Sequence, residues 1–194
     1  IDMTAFVNTS GGSAFENFKN QLLVAIPSAF HQDDYFDQSV SLIIDHSPQG
    51  AFGLMINRPL TRPISELLVD VPKKLHCPVF DGGPVERDRL FFLHSGERQY
   101  PGTRALNNDI HLTACDELID DLIKGFSPTH INAYLCYAGW GAAQLETEIA
   151  ESIWLLTPCS TSIVLSTPVA NRRTEAAKLL GIDLHLTDWS AGHD

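Results

Sequence analysis

Residues 130–141 read His-Ile-Asn-Ala-Tyr-Leu-Cys-Tyr-Ala-Gly-Trp-Gly, and this stretch sets the pattern of the fold. Two sets of positions alternate along it with a period of two: Ile131, Ala133, Leu135 and Tyr137 against Asn132, Tyr134 and Cys136. Because this period is typical of a strand, we predict a strand over His130–Ala138 that ends at Gly139-Trp140-Gly141. A helix is predicted from Ala142 to about Ser152, because its apolar residues fall on one stripe.

Short apolar runs upstream of this unit predict strands joined by a hairpin. Leu22–Ile26, Val40–Asp45 and Ala51–Asn57 are rich in Val, Ile and Leu. The last two runs flank a Ser-Pro-Gln-Gly segment, whose residues are typical of a hairpin loop, so they are expected to pair antiparallel. Other short elements are predicted as a helix at Ser65–Val69 and strands at Val79-Phe80, Leu90–His94 and Ile110–Thr113.

Helices are the clearest elements of the second half. Ala114–Lys124 is predicted as a helix capped by Thr113. Ser162–Ser166 is predicted as a strand, and Pro168–Leu180 as a helix whose N-cap is Thr167 and whose first helical residue is proline. Hairpin-linked strands followed by strands that alternate with helices indicate an α+β or mixed α/β fold, and they argue against a doubly wound parallel sheet.

The chain length predicts a single domain. With 194 residues, two full domains would be cramped, and 44% hydrophobic against 19% charged residues suits a globular core. Residues 1–17 include Thr-Ser-Gly-Gly-Ser and show no periodicity, so we expect a flexible N-terminal leader there. The domain is expected to occupy residues 18–194.

Charge and cysteine usage restrict the compartment and the partners. The chain has 13 Lys and Arg against 24 Asp and Glu, a formal net charge of −11, which repels a phosphate backbone. Direct nucleic-acid binding is therefore not expected. Four widely spaced cysteines without a C-x-x-C pair indicate reduced thiols and a cytoplasmic protein. The longest apolar run, Leu22–Ile26, is too short for a bilayer, so no membrane association is expected.

The Gly139-Trp140-Gly141 turn invites two functional interpretations. Glycines between a strand and a helix suit a phosphate, but a dinucleotide fingerprint needs a third glycine where this chain has Gln144. Cys136 lies just before the turn, where a thiol of lowered pKa would be nucleophilic. Thiols on strands are more often small buried hydrophobes, so neither a catalytic residue nor a cofactor is predicted.

Trp140 itself is expected to be a buried structural residue. Small neighbours on both sides let the backbone turn sharply and the indole fold beneath the following helix. A buried indole N–H needs an acceptor, and Gln144, one helical turn along, is expected to help orient it.

Histidines and arginines are the side chains that could form a metal or an anion site. His185, Asp188 and His193 form a loose C-terminal cluster without recognised ligand spacing, so no metal is predicted. Arginines occur in pairs that either gather into an anion site or pair with neighbouring acids: Arg58 and Arg62, Arg87 and Arg89, Arg172 and Arg173.

Six ordered motifs resemble one bacterial family, YqgE/AlgH, also called UPF0301 or DUF179. They are Leu23-Val24-Ala25-Ile26-Pro27 with Phe36 and Ser39-Val40, Gly53-Leu54-x-x-Asn57-Arg58-Pro59, Gly82-Gly83-Pro84-Val85, Asp88-Arg89 with Phe91-x-Leu93-His94, Tyr137-Ala138-Gly139-Trp140-Gly141-x-x-Gln144-Leu145-Glu146, and Ala191-Gly192-His193. The resemblance implies an α+β domain in which a bifurcated, mostly antiparallel sheet forms a pseudo-barrel flanked by helices. The chain departs from the family at Cys136, where the family motif has glycine.

The resemblance implies no reaction and no cofactor. The family's label of transcriptional regulator rests on an effect on alginate production in pseudomonads. We therefore expect a non-enzymatic regulatory or interaction protein that affects transcription indirectly, through an unknown protein or small-molecule partner. The alternative is a small-molecule or anion-binding protein or enzyme. Its candidate ligand-binding residues lie on the family motifs: Asn57, Arg58, Gly82, Gly83, Arg89, His94, Tyr137, Trp140 and Gln144.

Overall fold

The computed structural model describes residues 15–32 and 34–185. Its strands are β1 (Gln21–Ala25), β2 (Val40–Ser47), β3 (Gly50–Met55), β4 (Val79–Asp81), β5 (Val85–His94), β6 (Arg104–Ala105), β7 (His111–Thr113), β8 (Ile131–Trp140) and β9 (Trp154–Pro158). Its α-helices are α1 (Ile64–Leu67), α2 (Asp116–Ile123), α3 (Gln144–Ala150), α4 (Thr161–Leu165) and α5 (Val169–Lys178), and a single 3₁₀ turn covers Pro27–Ala29.

The nine strands form one curled sheet in the order β6-β7-β5-β8-β3-β2-β1-β9, with β4 attached to β8 outside this path. Strand β4 pairs parallel with β8, whereas the other named pairs are antiparallel. The sheet is therefore branched and mostly antiparallel and closes into a half-barrel. The α+β class and the sheet expected from the family resemblance are confirmed.

Three apolar clusters hold the helices on this sheet. One joins β1 and β2 to α4 and α5, with Leu22, Val164 and Ala176 buried at its centre. A second packs α2 against β5 and β8 through Leu118, Leu122 and neighbouring residues. The third lies under α3 and brings Trp140 and Trp154 together. Among the described helices, none is both long and apolar enough to cross a membrane.

The structure corrects several local predictions. Ser162–Ser166 is not a strand: Thr161–Leu165 is the helix α4, and the Ser160 side chain accepts a hydrogen bond from the Ile163 N–H. The apolar residues of α4 are buried together, so their strand-like composition reflects burial. The strand at this edge of the sheet is instead Trp154–Pro158, which the sequence analysis missed and which pairs with β1.

Cap positions and element ends also shift by a few residues. Helix α2 begins after Cys115 with no side-chain cap, so Thr113 is not its cap. Helix α5 begins after Pro168, so neither Thr167 as N-cap nor proline at the first helical position is correct. Strand β8 continues through Gly139 to Trp140, and α3 starts only at Gln144 because Ala143 has a left-handed φ of 61°.

Candidate functional site

Strand β8 changes partners halfway along its length. Its first half pairs with β4 and β5, and its last three residues pair with β3, from Ala138 opposite Gly53 to Trp140 opposite Ala51. Between the halves, Cys136 adopts a left-handed φ of 65°, and β5 shifts register between Val85 and Leu90. The bulge parts β5 from β8, and a concave space opens between β3, β5 and the end of β8.

This space is a cavity of about 400 Å³, which we call the aromatic cavity. Its rings form a contiguous wall: the Phe52 centroid lies 5.4 Å from that of Phe91 and 4.8 Å from that of Tyr137, and Phe91 meets Tyr137 edge-on at 6.2 Å. The lining comprises Asp45, Gln49, Gly50, Ala51, Phe52, Val85, Glu86, Arg89, Phe91, Tyr137, Gly139 and Trp140. Such aromatic walls with few polar groups are typical of small-molecule sites.

The charged groups of the aromatic cavity are paired with one another or with neighbours. Arg89 Nη1 lies 3.6 Å from Glu86 Oε2, and the Arg89 guanidinium carbon lies 5.4 Å from the Phe91 ring centroid. Asp45 accepts two hydrogen bonds from Arg104. Burial and the Glu86 carboxylate raise the pKa of Tyr137 despite the Arg89 charge, so its phenol stays protonated and can donate a hydrogen bond.

Trp140 is among the residues that line the aromatic cavity, but its ring packs in the core cluster under α3. Only 7% of it is exposed, which confirms the expected burial. Its indole N–H donates to Glu148 Oε2 at 2.8 Å, and the Trp154 N–H donates to the same oxygen at 2.8 Å. The predicted orienting role of Gln144 is indirect, because Gln144 Nε2 donates to Glu148 Oε1. Glu148 thus fixes both indoles.

Asn57 and Arg58 do not line the aromatic cavity. Asn57 Oδ1 accepts a hydrogen bond from the Val40 N–H, and its Nδ2 donates to the Gln38 carbonyl, both at 2.9 Å. Arg58 donates to the carbonyls of Tyr35 and Asp37. The pair secures the segment before β2 to the segment after β3.

The Gly82-Gly83 motif serves close backbone approach. Gly82 N–H donates to the Leu135 carbonyl at 2.7 Å, which ties the end of β4 to β8. At Gly83, with a φ of 154°, an added Cβ would lie 2.1 Å from the Tyr137 carbonyl oxygen, so a side chain is excluded. Both glycines therefore support the partner switch in β8 and lie outside the lining of the aromatic cavity.

His94 is fully buried and forms a chain of hydrogen bonds on β5 and β7. Its Nδ1 lies 2.8 Å from the Ser95 carbonyl, so this nitrogen carries the proton. Its Nε2 lies 2.7 Å from Thr113 Oγ1, which in turn lies 2.7 Å from Thr103 Oγ1. Burial lowers the pKa of His94, which favours the neutral ring.

Of the nine sequence-predicted ligand residues, three line the aromatic cavity: Arg89, Tyr137 and Trp140. The sequence analysis did not nominate Phe52 and Phe91, which complete its wall. Phe91 lies in a family motif but was not chosen, and Phe52 lies in none, because an aromatic residue on a strand resembles ordinary core until its pairing partner is known.

The cysteines and the potential metal ligands are the other groups considered for chemistry. Burial, together with the Asp81 and Asp88 carboxylates, raises the pKa of the Cys136 thiol, the opposite of what a nucleophile needs. All four cysteines are free. Within the described residues, His, Cys, Asp and Glu form no group of three able to hold a metal, and Asp188 and His193 lie outside that part of the chain.

The paired arginines use separate partners. Arg62 lies 3.5 Å from Glu66, and Arg89 faces Glu86. Arg172 donates to the carbonyls of Ile56 and Thr167. Arg172 lines a cavity at the start of α5, and none of the other five candidate arginines lines it. The six arginines therefore do not gather into one anion site.

Comparison with known proteins identifies the family. The family model described as AlgH-like, DUF179, matches residues 22–185. The chain belongs to this family. A UPF0301 protein from Thioalkalivibrio sulfidiphilus is 37% identical over 186 residues, covering 93% of this chain and 99% of the relative. A UPF0301 protein from Nitrosococcus oceani is 36% identical, covering 91% of this chain and 96% of the relative.

Two solved structures share the architecture of this chain. The solution structure of AlgH from Pseudomonas aeruginosa superposes with a TM-score of 0.74 at 32% identity, covering 97% of this chain and all of that chain. A crystal structure of a Corynebacterium diphtheriae protein has a TM-score of 0.67 at 19% identity, covering 86% of this chain and 88% of that chain. The second likeness supports the fold alone.

Proposed function

We propose that this AlgH-like protein is a non-enzymatic regulator that binds a small, largely apolar molecule in the aromatic cavity. The observation that carries the proposal is the contiguous wall of Phe52, Phe91 and Tyr137 around a space of about 400 Å³. A volume in the range of roughly 300 to 1,000 Å³ suits a ligand of drug size. The ligand class is a flat ring system, because the walls offer aromatic faces and edges.

Polar groups of the aromatic cavity would orient a bound ligand. The Tyr137 hydroxyl has no hydrogen-bond partner among the described residues, and its raised pKa keeps it a donor. Arg89 is held between Glu86 and the Phe91 ring, so a polar substituent on the ligand would compete for its N–H groups. An enzymatic role would require an acid–base group tuned near neutral pH, which the raised pKa of Tyr137 does not provide.

The effect on transcription is proposed to be indirect and to occur in the cytoplasm. Helix α5 carries Arg172, Arg173 and Lys178 but offers little to DNA: Arg172 is buried, and Lys178 pairs with Glu175 at 3.2 Å. With a net charge of −11, the chain lacks the electrostatic basis for phosphate-backbone binding. Regulation is therefore assigned to a ligand-dependent protein contact. Free thiols at all four cysteines suit the reducing cytoplasm.

The test is a thermal-shift screen of aromatic metabolites against the protein and a cavity-filling variant, Gly139→Leu. A Cβ at Gly139 would point toward the Tyr137 ring at 3.6 Å and the Val85 side chain at 4.0 Å, so a leucine there enters the cavity without striking backbone. Gly141→Leu is the matched control, because Gly141 does not line the cavity. A hit at 100 times its dissociation constant stabilises the wild type by about 2.7 kcal/mol.

A hit that stabilises the wild type and Gly141→Leu but not Gly139→Leu supports the proposal. Equal stabilisation of all three proteins would place the ligand elsewhere. Sub-micromolar binding to DNA with a steep salt dependence would overturn the indirect role.

A further inference from the structure

We propose that a second cavity, at the start of α5, is a binding site for a small oxyanion, either a carboxylate or a phosphate. The cavity has a volume of about 260 Å³ and lies between β4, the start of β8 and the first turn of α5. We call it the polar cavity. The groups that matter for its chemistry are His76, His130, Asn132, Ser166, Thr167 and Arg172.

The lining of the polar cavity contains no carboxylate. None of its lining residues is Asp or Glu, although the chain has 24 acids and a net charge of −11. The exposed Glu97 lies beside Thr129 at the rim but does not line the cavity. Every charged or titratable side chain in the lining is therefore cationic or potentially cationic, the polarity that an anion requires.

Arg172 is the central group because its charge is buried without a counter-ion. Only 3% of the residue is exposed. Its Nη1 donates to the Ile56 carbonyl at 2.6 Å and its Nε to the Thr167 carbonyl at 3.0 Å, and its guanidinium lies 5.2 Å from the Phe80 centroid. No ion pair of Arg172 exists within the described part of the chain. A buried charge of this kind is costly unless an opposite charge joins it.

The start of α5 places backbone donors beside Arg172. The first turn of α5 has no acidic residue and no side-chain cap, and Val169 from that turn lines the cavity. The positive end of the helix dipole therefore opens on the same space. A bound oxyanion would accept hydrogen bonds from the free N–H groups of this helix end.

The size of the polar cavity and its chemistry define the ligand. A planar guanidinium matches the paired oxygens of a carboxylate or a phosphate. A volume of about 260 Å³ admits only a compact anion, smaller than the ligand proposed for the aromatic cavity. The two sites use opposite ends of β8 and share no lining residue, so binding at one does not depend on the proposal for the other.

The experiment is a titration with inorganic phosphate and, separately, with acetate at constant ionic strength, followed by calorimetry and by backbone amide shifts. Ser166→Asp places a carboxylate in the polar cavity at an exposed position, where it competes with an added anion without disturbing the core. Ser162→Asp adds the same charge outside the lining and is its control. Arg172→Gln and Lys178→Gln form a second pair, because each removes one positive charge from α5.

We expect saturable binding with shifts confined to the start of α5 and the start of β8. Affinity should fall about tenfold or more in Ser166→Asp and Arg172→Gln and should be unchanged in Ser162→Asp, Lys178→Gln and the cavity-filling Gly139→Leu. Tighter binding of phosphate than of acetate assigns a phosphorylated ligand, and the reverse assigns a carboxylate. No saturable binding of either anion, or equal affinity in Ser166→Asp and Ser162→Asp, would overturn the site.

Discussion

In the aromatic cavity each charged side chain faces an opposite charge: Arg89 faces Glu86, and Asp45 faces Arg104. In the polar cavity, by contrast, Arg172 forms no ion pair with any residue that the structure describes. The aromatic cavity is also built from strand residues that belong to the core, such as Trp140 and Phe91. The polar cavity has a rim of exposed positions, including Ser166 and His130.

The two cavities therefore differ in the ligands that they select and in how much their residues contribute to the stability of the fold. Neutralised charges leave the aromatic cavity to select by shape and ring contact, and changes to its walls therefore affect folding. The uncompensated charge of Arg172 makes the polar cavity selective for sign of charge. Substitutions in the two regions should accordingly differ in their cost and in their response to salts.

The largest effect is expected from Trp140→Ala in the wall of the aromatic cavity. The change removes a buried ring and its hydrogen bond to Glu148, and it should lower the free energy of unfolding by about 3 to 5 kcal/mol. Urea denaturation followed by circular dichroism measures the loss. Trp140→Phe, which keeps a ring but removes the N–H, serves as control and should lose less. An unchanged midpoint for Trp140→Ala together with lost ligand binding would show that the indole is a recognition group.

A smaller loss, about 2 kcal/mol, is expected from Arg172→Met in the polar cavity. The buried Ile56 and Thr167 carbonyls lose their donor, which outweighs the relief of an unpaired charge. The difference from wild type should widen in phosphate, because the anion stabilises only the protein that binds it. Lys178→Met, at an exposed position, should stay within about 0.5 kcal/mol. Greater stability of Arg172→Met than of wild type in both buffers would contradict the assignment.

The pH dependence of stability should arise at His94, away from both cavities. Because burial lowers its pKa in the folded protein, the unfolded chain binds the proton more readily. The contribution of His94 to stability is therefore complete above the ordinary histidine pKa of about 6.5 and is lost as the pH falls below it. Urea midpoints of wild type and His94→Gln across this range measure the effect. His31→Gln, at an exposed histidine, is the control, and parallel curves for wild type and His94→Gln would refute it.

Local pattern predicted the elements whose burial follows a single period. The alternation from Ile131 onward gave a strand that the structure extends to Trp140, and the apolar stripe gave the helix α3. The hairpin of β2 and β3 followed from two apolar runs around a turn. These features depend on neighbours in sequence, so a single chain suffices to infer them.

Features that depend on pairing between residues far apart in the sequence could not be predicted from local pattern. Thr161–Leu165 and Trp154–Pro158 are both short and apolar, and only the packing of α4 and the edge of β1 distinguish helix from strand there. The aromatic cavity likewise arises near the point where β8 passes from β4 to β3 as a pairing partner, a long-range event with no local signature. Arg172 was recognised as a candidate cation, but its burial without a counter-ion appears only in three dimensions.

Cys136 lies where β8 changes pairing partners, and its backbone conformation predicts an effect on stability. Its φ of 65° costs an L residue roughly 1 kcal/mol relative to glycine. Cys136→Gly should therefore raise the free energy of unfolding by up to about 1 kcal/mol, less the packing lost with the buried thiol. Cys136→Ala separates the two contributions, because it removes the thiol but keeps the strained backbone. Urea midpoints should rank glycine above wild type and alanine below it. Both variants below wild type would mean that the thiol holds the bulge, and the opening between β5 and β8 would then depend on it.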